Sequence, residues 1–170
     1  MKKIIITTLV LLFPLTLSAF PYKDKIDTKS DFSVYAGINV ADPSPVFGLK
    51  IGVEYAYFRA SLDISRTYMH HYLSDEFITT VNPAIGLVYG DKYKAYLMIG
   101  VQNYGYINDL KNSNYFRSDH IYGVVKAGYQ HLINHIFFIN FEINHLFHDK
   151  KSMVTHFPNT NLCFGFGFRF

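Results

Sequence analysis

Leu162-Cys163-Phe164-Gly165-Phe166-Gly167-Phe168-Arg169-Phe170 is the stretch on which the reading of the whole chain turns. Leu162, Phe164, Phe166, Phe168 and Phe170 recur at every second residue, with Cys163, Gly165, Gly167 and Arg169 between them. A period of two belongs to a strand, because successive side chains of extended backbone point to opposite faces. One face of this strand is a ladder of large rings; the other is small or charged.

Working outward, the same alternation recurs in seven earlier segments, which predicts strands over residues 31–40, 46–55, 58–68, 77–89, 93–104, 121–130 and 136–146, ahead of the last at 161–170. In the first, Phe32, Val34, Ala36, Ile38 and Val40 oppose Ser33, Tyr35, Gly37 and Asn39. In the second, Phe47, Leu49, Ile51, Val53 and Tyr55 oppose Gly48, Lys50, Gly52 and Glu54. Such alternation fits a soluble barrel with its apolar face inside, or a membrane barrel with that face on lipid. Glycine decides between them. Of the 11 glycines, those at 37, 48, 52, 86, 100, 128, 165 and 167 fall on the polar face. Glycines weaken a solvent-facing strand, whereas the crowded interior of a narrow barrel needs small residues. The expectation is therefore an all-β, eight-stranded antiparallel transmembrane barrel with a filled polar lumen.

Composition agrees. The 170 residues include 14 Tyr, 16 Phe and no Trp, and the aromatic share of 18% suits the interfacial girdles of a membrane barrel. Mean hydropathy is only +0.08, far below that of a helical membrane protein. Lys2 and Lys3, the apolar run 4–17 and Leu17-Ser18-Ala19 have the pattern of a secretory signal peptide, so residues 1–19 are expected to be removed. Losing Lys2 and Lys3 and no acid takes the formal charge from +3 to +1. A nearly neutral mature chain gives no ground for a nucleic-acid partner. Residues 20–30 read as a flexible periplasmic lead-in and 31–170 as the barrel. The remainder of the chain has no apolar run of about 18 residues, so a membrane can be crossed only with strands. Cys163, the single cysteine, excludes an internal disulfide and reads as a buried structural thiol.

Connections after the second, fourth and sixth strands are short, at 56–57, 90–92 and 131–135. Those after the third, fifth and seventh are longer, at 69–76, 106–119 and beyond 146. Short periplasmic turns and longer outer loops are the expected asymmetry. Phe32, Tyr55, Phe58, Tyr89, Tyr93, Tyr129 and Phe137 cluster beside the short turns and, with Phe168 and Phe170, predict a periplasmic girdle.

The segment 162–170 resembles the C-terminal strand of bacterial outer-membrane proteins. Size and strand count resemble the small eight-stranded barrels of the OmpA-domain and OmpX/Ail/Lom type. The likeness covers the mature chain in architecture, with its motif confined to the last nine residues. It implies an outer-membrane location and contact with outer-membrane lipid and lipopolysaccharide. It also implies Phe166, Phe168 and Phe170 as the signal read by the barrel assembly machinery.

Candidate chemistry lies in three places. Lys50, Glu54, Arg59, Asp63, Lys94, Lys126, Glu142 and Arg169 are predicted to face inward, where ions must pair or meet trapped water. They are expected to form a salt-bridged plug; the alternative is a small conducting pore, for which eight strands leave little room. His70, His71, His120, His145, His148 and His156 fall at the outer end and are weak metal candidates, since no tight ligand motif accompanies them. Comparison with lipid A 3-O-deacylases, whose signature is His-x-Ser-Asn, implies a base at His145. The serine position is Phe147, however, the last strand has no glutamate, and Pro158-Asn159-Thr160-Asn161 echoes that family's last loop only loosely. Ser152 is the remaining candidate nucleophile; without activation it cannot carry acyl transfer. Tyr68, His70, Tyr72, Tyr115 and Phe116 on the outer loops offer aromatic anchors for a host or cell-surface partner, or form the outer girdle. The expectation is a monomeric, non-enzymatic surface protein without cofactor or metal, suited to adhesion or to envelope and serum resistance.

Overall fold

Strands with one apolar and one polar face leave unpaired backbone groups along their edges, and in lipid every such group must be satisfied within the protein. Closing the sheet on itself achieves this. The computed structural model describes residues 28–40, 44–71, 74–106, 121–147 and 160–170. It contains eight strands: β1 (Thr28–Asn39), β2 (Pro45–Tyr55), β3 (Phe58–His71), β4 (Ser74–Tyr89), β5 (Tyr93–Tyr106), β6 (Ile121–Leu132), β7 (Phe137–Phe147) and β8 (Thr160–Arg169). Each pairs antiparallel with its neighbour in sequence, and β1 pairs with β8 to close the barrel. That last ladder runs from Asp31 opposite Arg169 to Asn39 opposite Asn161, so the stretch 162–170 is the closing strand.

The alternation faces outward as expected. Ile85 and Ile99 are 65% and 62% exposed on the outer wall, while Lys126 and Gln130 are fully buried within. The rings of Tyr55, Phe58, Tyr89, Tyr93, Tyr129, Phe137 and Phe168 stand exposed near the short turns, with Tyr93 stacked 6.4 Å from Tyr129 and Phe137 5.2 Å from Phe168.

Three short turns define one end of the barrel, called here the turn end. Ala56-Tyr57 joins β2 to β3, with Ala56 at φ 53°. Gly90 opens the β4–β5 turn at φ 110°, where a Cβ would lie 1.9 Å from the Tyr93 carbonyl oxygen, so only glycine fits. In the β6–β7 turn, Asn134 Oδ1 accepts from the backbone N–H groups of Ile136 (2.9 Å) and Phe137 (2.7 Å).

The ends of several strands differ from the sequence reading. β1 begins at Thr28, so 28–30 are strand rather than lead-in: Lys29 opposes Glu54, and Ser30 exchanges backbone hydrogen bonds with Phe170 at 2.8 and 2.9 Å. β3 and β4 extend to His71 and Ser74, leaving residues 72–73 as their connection in place of the expected loop 69–76. Main-chain ladders need no alternation of side chains, so the stretch 69–76, which lacks it, concealed the continuing strands. β6 likewise reaches Leu132. Within β4, Pro83 faces outward and cannot donate, and the β4–β5 ladder skips Asn82 and Pro83 before resuming at Ala84 opposite Gly100.

Residues 1–27, and with them the expected signal peptide and most of the lead-in, lie outside the described residues.

Candidate functional site

The lumen holds most of the chemistry, and its side chains are arranged in layers along the barrel axis. Of the eight charges predicted to face inward, Lys50, Glu54, Arg59, Asp63, Lys94, Lys126 and Glu142 are buried and Arg169 is partly so. Asp31 is a ninth that sequence reasoning missed. It shares the parity of Ser33, but as the opening residue of the first strand it has no alternating neighbour before it to mark its face.

At the turn end, Arg59 of β3 is the hub. Its Nη2 donates to Asp31 Oδ2 (2.6 Å), and its Nη1 donates to Glu54 Oε1 (2.8 Å) and to Gln130 Oε1 (2.8 Å). Glu54 Oε2 also accepts from Lys94 and, at 2.9 Å, from Arg169 Nη2. In the middle layer Lys50 is bonded to Glu142 and lies 3.4 Å from Asp63, which accepts from Lys126 Nζ at 2.7 Å. The Tyr96 hydroxyl donates to Glu142 Oε2 (2.6 Å) and lies 2.9 Å from Asn140 Oδ1. The Tyr96 ring sits beneath the Arg59 guanidinium, 4.8 Å from its centroid.

These bonds run across the lumen as well as along the wall. Lys50 of β2 meets Glu142 of β7, Lys126 of β6 meets Asp63 of β3, and Arg169 of β8 meets Glu54 of β2. Each of these charges has an opposite charge within reach, and Lys50, Glu54, Arg59, Asp63 and Glu142 have more than one partner, which is what makes burial of so many ions tolerable. Chemically the arrangement is a cross-braced septum. Glycines make room for it: a Cβ on Gly128 would lie 2.1 Å from Tyr96 Cζ, and one on Gly48 2.3 Å from Tyr35 Cζ.

Toward the opposite, loop end the lumen becomes neutral and then partly apolar. Ser65 and Thr80 share a hydrogen bond of 2.5 Å, and Asn82 Nδ2 donates to Gln102 Oε1 at 2.9 Å. Beside them Ile78, Tyr122, Val124 and Leu146 form a buried apolar cluster, and Val46 is also buried. The expected polar lumen is therefore polar only in part. The signal was present in adjacent apolar pairs such as Val46-Phe47, Val124-Val125 and Leu146-Phe147, where one member faces in and the other out. Cys163 is free and buried in this wall, with its Sγ 4.0 Å from Asn144 Nδ2.

At the loop end of the outer wall, His145 is exposed; its Nδ1 is hydrogen-bonded to Thr160 Oγ1 at 2.8 Å, and its ring meets Phe147 edge-on at 5.1 Å. No group of three metal-ligating side chains occurs among the described residues. His70 and His71 sit at the tip of the β3–β4 hairpin, paired in register with Asp75 and Ser74. His120, His148, His156, Tyr72, Tyr115, Phe116, Ser152, Pro158 and Asn159 lie outside the described residues.

No family model matches the chain, and no curated protein sequence matches it. Solved structures do. The N-terminal β-barrel domain of Pseudomonas aeruginosa OprF is 14% identical with a TM-score of 0.58, covering 86% of this chain and 100% of that one. The Yersinia pestis outer-membrane protein Ail in a phospholipid nanodisc is 14% identical with a TM-score of 0.55, covering 85% and 100%. A de novo designed transmembrane β-barrel is 12% identical with a TM-score of 0.54, covering 88% and 100%. The chain thus has the fold of small outer-membrane barrels. A designed barrel fits it nearly as well as the natural ones, so the fold alone assigns no activity.

Proposed function

We propose that this chain is an outer-membrane barrel whose role is non-enzymatic and exercised at the cell surface, in adhesion or in envelope and serum resistance. The observation that carries the membrane placement is the inverted wall: large apolar side chains exposed all round, charges buried within. In water such a surface would aggregate; in lipid it is the lower-energy arrangement. The short-turn end then faces the periplasm and the loops face outside. Closure of β1 on β8 leaves no sheet edge to pair with a second chain, which supports a monomer. The outward rings of Phe166 and Phe168, followed by Phe170, support recognition by the barrel assembly machinery.

Hydrolysis of lipid A has less support. His145 stands on the outer wall beside the hydroxyl of Thr160, but Phe147 occupies the position two residues on. No carboxylate among the described residues is seen to orient the imidazole, and without that third group the hydroxyl is not activated.

Membrane placement is tested by fractionation together with a gel comparing unheated and heated samples. A chain in the outer-membrane fraction with a heat-dependent mobility shift is expected; a soluble periplasmic chain without one overturns the reading. The surface role is tested by deleting residues 107–120 or 148–159. Reduced cell binding or serum survival, with the mobility shift retained, supports it; unchanged values remove it.

A further inference from the structure

The turn end of the barrel opens into a recess of about 620 Å³, set between the β4–β5 turn, the β6–β7 turn and the paired ends of β1 and β8. Its walls carry Lys29, Lys92, Lys94 and Arg169, with Asp91 the one side-chain carboxylate among the lining residues, and the Asn134 amide and His135 imidazole on the rim. Directly beneath, three cations converge on one carboxylate. Arg59 takes Glu54 Oε1, while Lys94 and Arg169 both take Glu54 Oε2. Asp31 is engaged by Arg59 on the far side. Among the described residues, recess and floor together carry the cations Lys29, Arg59, Lys92, Lys94 and Arg169 against the side-chain carboxylates of Asp31, Glu54 and Asp91 and the main-chain carboxyl of Phe170.

This imbalance has a physical consequence. An ammonium carries three donors and a guanidinium five, so Lys94 and Arg169 have more N–H groups than a shared carboxylate oxygen can accept. Low-dielectric walls focus the field of such a cluster into the opening. Leu132, Ile133 and Phe170 add an apolar flank, and the volume falls within the range of small-molecule pockets.

We propose that this recess is a binding site for a small polyanion, a carboxylate- or phosphate-bearing molecule with at least two anionic groups. One anionic group sits between Lys94 and Arg169 over Glu54, and the other reaches Lys92 and the Asn134 amide at the rim. The site rests on the orientation proposed above only for which compartment supplies the ligand; binding by the isolated barrel is independent of it.

The test uses the full mature barrel folded in zwitterionic detergent micelles, with backbone amide shifts followed by NMR. Citrate probes the carboxylate class, inorganic pyrophosphate the phosphate class, and trehalose serves as the uncharged control. Saturable shifts centred on Lys29, Lys92 and Asn134 are expected with one or both anions and none with trehalose. Whichever anion binds names the class. Binding should weaken as ionic strength rises from about 0.01 M to about 0.15 M. Lys92→Gln with Lys29→Gln should weaken it by about fivefold or more, since the first removes a partly screened contact and the second a positive charge of the recess wall. Lys92→Gln alone, in an exposed turn, keeps the test open if the double variant fails to fold. Shifts that do not saturate, that appear equally with trehalose, that centre on the loop end, or that are unaffected by these substitutions overturn the proposal.

Discussion

At the residue scale, one tight coupling in the barrel is between a glycine and a ring on the neighbouring strand. Gly128 opposes Tyr96, whose hydroxyl is tied to Glu142 and whose face lies under Arg59. A methyl group at 128 would fall 2.1 Å from Tyr96 Cζ, and the pinned ring has little freedom to retreat. Gly128→Ala is expected to destabilise the folded barrel by about 1–3 kcal/mol, as overpacking of an ordered core does. Urea unfolding in micelles reads this, and combining it with Tyr96→Leu should recover part of the loss. The glycine was legible in the sequence because parity alone put it inside. Parity put Tyr96 inside as well, but not opposite Gly128, because that pairing depends on the register between two strands about thirty residues apart. Cys163 gives a second prediction at this scale. It is 3% exposed in the wall, so a maleimide should fail to label it in the folded barrel and label it fully after heating. Rapid labelling of the folded form would show that the closing strand opens readily.

At the element scale, strand existence was readable and strand ends were not. All eight strands came from the period of two, because lipid and lumen impose opposite chemistry on alternate residues. Where a strand leaves the apolar layer that constraint disappears while the main-chain ladder continues, which is why 28–30, 69–71 and 74–76 looked like lead-in and loop. The closing strand shows what an element contributes beyond its contacts. Phe164 and Phe166 are more than half exposed on the outer wall, and Arg169 turns inward to Glu54. Phe170 is 77% exposed at the turn end, where it borders the recess and takes no part in the ion-paired septum, so its ring is accessible for the proposed recognition during insertion. Phe170→Ala, which keeps the backbone hydrogen bonds to Ser30, is expected to lower the amount of folded barrel in cells several-fold while leaving refolding into micelles from urea nearly unchanged. Equal losses in both settings would place its role in stability and not in assembly.

At the scale of the whole molecule, the question is whether the barrel is a channel or a closed body. Inward charges alone were compatible with either, since a sequence shows which residues face the lumen but not whether they meet across it. The structure supplies those contacts: Lys50 to Glu142, Lys126 to Asp63 and Arg59 to Gln130 each bridge strands that are not neighbours, so the septum ties opposite walls together. Two outcomes follow. Conductance of the intact barrel in planar bilayers is expected to stay at the lipid baseline. Removing one member of the middle layer should cost both stability and closure. Glu142→Ala leaves Lys50 with Asp63 alone, 3.4 Å away and already shared with Lys126, and strips the Tyr96 hydroxyl of its carboxylate. An uncompensated buried ammonium typically costs about 3–5 kcal/mol, so the urea midpoint should fall sharply. Replacing both partners, Lys50→Met with Glu142→Gln, should recover most of that loss because no unpaired charge remains. A Glu142→Ala barrel that unfolds at the original midpoint would mean that water already fills the lumen and screens these ions, and the closed-body reading would then give way to a hydrated pore.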